Sequence, residues 1–139
     1  MKRRFVLDAW AVLALLQGEE PAASRVKQLL SDAQGEGPEL FISIINLGEV
    51  VCRVGKVKGE DEAWQTLDQI RRLPLTVVPA GEESVFAAVG FKMHHAISYA
   101  DACAAATTDE LEATLVTGDL ELEQLKNQIE IEMLDRMNR

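Results

Sequence analysis

The chain has 139 residues, enough for one domain to bury a core of its own without disulfide staples. A hydrophobic share of 47% and a charged share of 27% are those of a globular protein and exclude a disordered one. The net charge of −9 and a pI near 4.7 exclude the broad positive field that drives non-specific binding to long nucleic acids. They suit a metal site, a basic partner, or a small substrate held by a few local cations.

Lys2-Arg3-Arg4 followed by apolar residues has the outline of an export signal, but Asp8 interrupts it and the apolar run Ala9 to Leu16 is short. The segment reads instead as a first strand, Arg4 to Leu7, entering a helix that begins around Ala11 and reaches Gln17. Pro21 suits the first turn of a second helix, with Val26, Leu29 and Leu30 on one face as far as Ala33. Gly35-Glu36-Gly37-Pro38 is a loop. Leu40 to Ser43 is a second strand, followed by a helix to about Val54 and a break from Gly55 to Gly59. A helix opening at Glu60 or Asp61 carries Ala63, Trp64, Leu67 and Ile70, and Leu75 to Val78 is a third strand. Helices follow from Glu82 to about His95 and, capped by Ser98, from Tyr99 to about Leu111. Ala113 to Val116 is a fourth strand and Gln128 to Ile131 a fifth, at an edge.

This alternation implies a single domain, residues 1–139, built as a parallel, doubly wound sheet with helices on both faces. No stretch approaches the roughly 20 apolar residues that a membrane-spanning helix needs. Cys52 and Cys103 lie far apart and read as two small buried hydrophobes. The lack of a disulfide framework or export signal points to a reducing cytoplasm.

Parallel strands share one C-terminal edge, which is where open α/β folds place ligands. Asp8 directly follows the first strand, and Asp119 follows the fourth through Thr117-Gly118, where glycine permits a tight turn. Asp101 lies in the first turn of the helix after Ser98, and Glu49 about a turn and a half into the helix after the second strand. These four acids are expected at one mouth, with Asp8, Asp101 and Asp119 within about one metal-coordination sphere. Carboxylates held close repel, and a bound cation removes that cost. Oxygen-only ligands favour Mg²⁺ or Mn²⁺ over zinc.

Ser98-x-x-Asp101 also suits helix capping. Asp8 and Glu49, each set among apolar neighbours, are harder to explain as solvated surface. His94 and His95 point about 100° apart at a helix C-terminus and fit a role there better than one in catalysis. Trp10 and Trp64 stand at helical spacing from apolar residues and are expected in the core, with a base-stacking role for Trp10, close to Asp8, as the lesser alternative. Arg53, Lys56 and Lys58 follow Glu49 closely enough to form a basic rim, with ordinary solvated surface the default role for any one of them, and a partner's arginine would suit an electronegative mouth.

Four segments together resemble the PIN-domain family, and within it the VapC-like toxins of toxin–antitoxin pairs, over nearly the whole chain. They are Val6-Leu7-Asp8, Ile45-Asn46-Leu47-Gly48-Glu49-Val50, Ile97-Ser98-Tyr99-Ala100-Asp101-Ala102 and Leu115-Val116-Thr117-Gly118-Asp119. The resemblance implies a three-layer α/β/α fold with a parallel sheet of four to five strands. It also implies a Mg²⁺-dependent ribonuclease, held inactive by a small cognate antitoxin and usually homodimeric. It matches Asp8, Glu49, Asp101 and Asp119 to an acidic quartet that binds metal and catalyses, with Thr117 as the supporting hydroxyl. Ala9 and Trp10 stand where the family has a hydroxyl and a small polar residue, and Glu121-Leu122 where it often has a second Asp and an aromatic. Glu121 ranks below the four as a ligand.

Trp10 denies the Asp-x-Asp of a haloacid-dehalogenase phosphatase, and Pro79-Ala80-Gly81 stands where a receiver domain needs its aspartate. No Walker loop or dinucleotide glycine fingerprint is present. The competing reading is a catalytically weak binding module that acts by holding a partner protein or RNA.

Overall fold

The computed structural model describes residues 2–135; Met1 and residues 136–139 of the expected domain lie outside them. Five strands form one parallel sheet in the order β3-β2-β1-β4-β5: β1 (Arg4–Leu7), β2 (Glu39–Ser43), β3 (Thr76–Val78), β4 (Thr114–Thr117) and β5 (Glu130–Met133). The helices are α1 (Ala9–Gln17), α2 (Ala22–Ala33), α3 (Ile44–Lys58), α4 (Glu60–Arg71), α5 (Glu82–His94) and α6 (Tyr99–Glu110), with a 3₁₀ helix at Leu120–Leu125.

Side chains alternate across a strand, so each strand feeds two cores. Phe5, Leu7, Leu40, Ile42 and Val116 pack against α1, α2, α3 and α4 on one face. Val6 and Leu115, with Phe41 beside them, pack against α6, Ala88 of α5 and Leu122 and Leu125 of the 3₁₀ helix on the other. The expected three-layer α/β/α arrangement follows. Helix α6 runs Ala102, Cys103, Ala104, Ala105, Ala106, all buried, and these short side chains let its backbone lie close over the middle of the sheet. Its N-terminus, with Asp101, is thereby carried toward the C-terminal ends of β1 and β4.

Several expectations need correction. Helix α1 starts at Ala9, two residues early, because Asp8 itself caps it. Helix α3 runs through Gly55 to Lys58. A Cβ at Gly55 would meet the Ala63 Cβ at 3.4 Å, an ordinary van der Waals contact, so this glycine lies where α3 packs on α4 and does not break the helix. The break falls at Gly59, whose φ of 100° is costly for any residue with a side chain. β4 starts one residue late and β5 two. Trp64 is 54% exposed, held by a bond from Nε1 to Glu60, rather than in the core; Cys52 is exposed, and only Cys103 is buried.

Candidate metal centre

Asp8 enters the site as the last residue before α1. Its backbone is extended, one side-chain oxygen accepts the Ala11 N–H at 2.9 Å, and its own N–H donates to Val116 O at 3.3 Å. The second oxygen accepts a short hydrogen bond from Thr117 Oγ1. Asp8 is only 2% exposed. Burial is the main force pushing its carboxyl up to about 7; the bonds from Thr117 and Ala11 oppose that shift, and the charges of Asp119 and Glu49 add to it.

Thr117 ends β4 and is fully buried. Besides donating to Asp8, its hydroxyl accepts the Asp119 N–H at 3.0 Å. One hydroxyl thus fixes the first acid and the turn carrying the last. Asp119 caps the 3₁₀ helix by accepting the Glu121 N–H at 3.0 Å. Gly118 between them does not take a left-handed φ, contrary to the expected tight-turn role. A Cβ there would collide with the six-membered ring of Trp10, so glycine is required because the indole lies against this backbone.

Asp101 stands in the first turn of α6, its N–H bonded to Ser98 Oγ at 3.0 Å. Burial pushes its carboxyl up to about 7, reinforced by a hydrogen bond with the Asp119 side chain and by the charges of Asp119 and Asp8, against a lowering bond from Ser98.

Asp101, Asp119 and Glu121 bring one ligand oxygen each within 4.8 Å of one another. This trio differs from the expected one. Asp8 is not in this trio: its two oxygens accept from Ala11 N–H and Thr117 Oγ1, each keeping a lone pair, while Glu121, ranked below the four, has its carboxylate in the group. Glu121 is brought in by the 3₁₀ helix, which strand-helix patterning did not anticipate. Glu49 approaches from α3: Asn46 Nδ2 donates to its Oε1 at 3.0 Å and to Ala100 O at 3.1 Å, while Ser43 Oγ donates to Asn46 Oδ1 at 2.9 Å. Asn46 is 1% exposed and ties the Glu49 face of α3 to the start of α6. It escaped the reading of the chain, although Ser43, Asn46 and Glu49 fall at intervals of three, on one helix face.

The donor set fits a hard divalent cation: its ligand atoms are all carboxylate oxygens, they converge, and the nearby buried Asp8 adds negative charge. His94 and His95 close α5, and His95 bonds Phe91 O at 3.1 Å and Gln128 at 3.0 Å through its two ring nitrogens. Arg53 and Lys56 line a cleft between α1 and α3 together with Glu49, and Lys58 lies in the adjoining groove with Arg53. Among the described residues, no helix is long and apolar enough to cross a membrane.

No curated protein matches the chain by sequence. Its fold is similar to a chain of the DNA-bound VapBC complex of Salmonella typhimurium (TM-score 0.72, 18% identity, 96% of this chain and 98% of that one covered). It is also similar to a chain of VapBC2 from Rickettsia felis, bound to a DNA fragment from its promoter (TM-score 0.71, 20% identity, 95% and 99% covered). A third neighbour is VapC20 of Mycobacterium tuberculosis, a Sarcin-Ricin loop cleaving toxin (TM-score 0.70, 16% identity, 86% and 93% covered). The model of the PIN domain matches residues 5–128, a span that holds Asp8, Glu49, Asp101, Asp119 and Glu121, and the chain belongs to the PIN domain family.

Proposed function

We propose that this single-domain chain is a divalent-metal-dependent ribonuclease, using Mg²⁺ or Mn²⁺, and the toxin of a cytoplasmic toxin–antitoxin pair. The observation that carries the reading is the cluster of Asp101, Asp119 and Glu121 oxygens backed by buried Asp8. So much converging negative charge is costly unless a cation is bound there. The fold neighbours support the toxin assignment: two are chains of VapBC complexes, and a third is a Sarcin-Ricin loop cleaving toxin.

In this reading Asp101, Asp119 and Glu121 hold the ion, with Asp8 and Glu49 reaching it directly or through water. When bound, such an ion supplies Lewis-acid stabilisation of the phosphoryl oxygens and helps an attacking water ionise. Thr117 keeps the Asp119 turn in register with Asp8, so the carboxylates are oriented before substrate arrives. Glu49 is available to receive the proton that the attacking water loses, and Asn46 fixes its carboxylate. Arg53, Lys56 and Lys58 offer the local positive charge that an acidic chain needs to hold RNA.

Two partners follow. An antitoxin arginine placed among the acids would compete with the ion for the same oxygens. A second copy would cover the apolar side chains left exposed on α5, Phe86 at 64% and Met93 at 72%, which lie seven residues apart on one helix face. The replacement of polar residues by Ala9 and Trp10 favours a second reading, a catalytically weak module that binds RNA or a partner. Incubation of the purified chain with total RNA across a Mg²⁺ series, with 5′-end mapping, tests the assignment. Discrete metal-dependent ends that disappear in Asp101→Asn support the ribonuclease; metal and RNA binding without new ends supports the module.

A further inference from the structure

Trp10 has no counterpart in the polar pattern of the site. It stands in the first turn of α1, one residue past the helix start, with its ring against Gly118 and hence beside Asp119. The same ring forms part of the wall of a cleft of about 680 Å³. That size lies within the range of about 300–1,000 Å³ usual for ligand clefts. One wall is α1, presenting Trp10 and Leu13; the other is α3, presenting Gly48, Glu49, Arg53 and Lys56. A Cβ at Gly48 would meet nothing within 4 Å, so the wall opposite the indole is open at that level. Neither Arg53 nor Lys56 takes part in an ion pair among the described residues, so both charges are available to a ligand. The cleft therefore joins part of the indole, two cations and Glu49, the acid that Asn46 ties to the start of α6.

We propose that Trp10 is a stacking platform for an unpaired RNA base next to the scissile phosphodiester, with Arg53 and Lys56 carrying backbone phosphates across the cleft. The proposal rests on the ribonuclease reading and adds a specificity-determining residue to it. An indole fixed against backbone loses little freedom on binding, and every base offers a π-face, so the platform selects for single-strandedness rather than for sequence. A base in a duplex has both faces covered by its neighbours and cannot use it. Two phosphate contacts on a single strand give a slope of log K against log salt of roughly −1.4. The dependence is shallow, as suits a chain with net charge −9. The substrate class is thus a single-stranded loop or end.

The test uses fluorescence in EDTA, where no cleavage is expected. The chain has two tryptophans, so Trp64→Phe, at an exposed position, leaves Trp10 as the only indole. A short single-stranded RNA should quench it saturably, and a duplex of the same sequence should not. By anisotropy of the labelled strand, Trp10→Phe should bind within a few-fold of the parent. Trp10→Leu should bind about 5- to 150-fold more weakly, the range for one base–aromatic stack. Arg53→Ala should reduce the salt slope by about 0.7. Strand binding without quenching, equal quenching by duplex, no strand binding, or parental affinity in Trp10→Leu would each overturn the platform. The quenching arm needs no substitution at Trp10, so it decides the matter even if Trp10→Leu does not fold. RNA cleavage by the parent in Mg²⁺ is measured in parallel. Cleavage without quenching rejects the platform alone, whereas no cleavage in Mg²⁺ or Mn²⁺ rejects the ribonuclease reading whatever the indole does.

Discussion

Asp8→Asn should make the metal-free protein more stable at pH 8, although it removes an acid from the heart of the site. The carboxyl titrates near 3.8 in the unfolded chain and at about 7 in the folded one. Between those values the unfolded state gives up its proton while the folded state keeps it, so raising the pH favours unfolding. The loss is at most about 1.4 kcal/mol per pH unit, reaches about 4 kcal/mol by pH 7 as an upper bound, and is absent below pH 3.8. Asparagine caps helices as well as aspartate and escapes this penalty. It cannot accept from both Ala11 N–H and Thr117 Oγ1 as Asp8 does, which costs about 1 kcal/mol. The net expectation in EDTA at pH 8 is a gain of about 2–3 kcal/mol, or roughly 5–10 °C in Tm. Near pH 4.5 the gain should vanish. Thermal melts followed by circular dichroism at the two pH values measure both, and saturating Mg²⁺ should erase the advantage by stabilising the parent more than the variant. A variant less stable than the parent at pH 8 in EDTA, or a gain equal at both pH values, would refute the argument that burial of this charge is the dominant cost.

Asp101→Asn should fold normally but lose at least about 100-fold in Mg²⁺ affinity and most RNA cleavage, because a neutral amide is a poor ligand for a hard cation; calorimetry and the end-mapping assay read the two effects. Thr117→Val, nearly isosteric, should cost about 1–3 kcal/mol. Its hydroxyl favours the ionised form of Asp8, so denaturant titrations should show a larger cost at pH 8 than at pH 5. Gly118→Ala should cost about 1–3 kcal/mol through collision with the indole, and a double-mutant cycle with Trp10→Ala should recover most of it. His94→Ala and His95→Ala should leave cleavage nearly unchanged.

The fold was legible because its signals are local and mutually consistent. Alternation in Phe5-Val6-Leu7 and Leu40-Phe41-Ile42 marks strands covered on both faces, and those residues do divide between two cores. The misses arose where one residue type serves two purposes. Gly55 looks like a breaker along the chain, but in space it is the contact point of two helices, and only Gly59 carries the unusual φ. Trp64 has the spacing of a core residue, yet α4 buries Ala63, Thr66 and Ile70 and leaves the indole outside. Spacing assigns residues to a common face of a helix; it does not say which face meets the sheet.

The candidate site was legible in membership but not in rank, and the reason is geometric. Topology brings Asp8, Asp101 and Asp119 to one sheet edge, because each follows a strand end or opens the helix lying over it. Which acid turns an oxygen toward the others depends on hydrogen bonds a few residues long. Asp8 gives one oxygen to its helix cap and the other to Thr117, which fixes its orientation beneath the mouth, while the 3₁₀ turn after Asp119 swings Glu121 into the group. The same contest explains Gly118. A turn residue in the linear pattern, it is in space the floor beneath Trp10, so the two departures at Trp10 and Glu121 flank the same Thr117-Gly118-Asp119 segment. A large ring on one side and a longer acid on the other reshape the mouth while the buried hydroxyl at its centre keeps its bonds to both aspartates, and it is there that this chain's choice of substrate would be set.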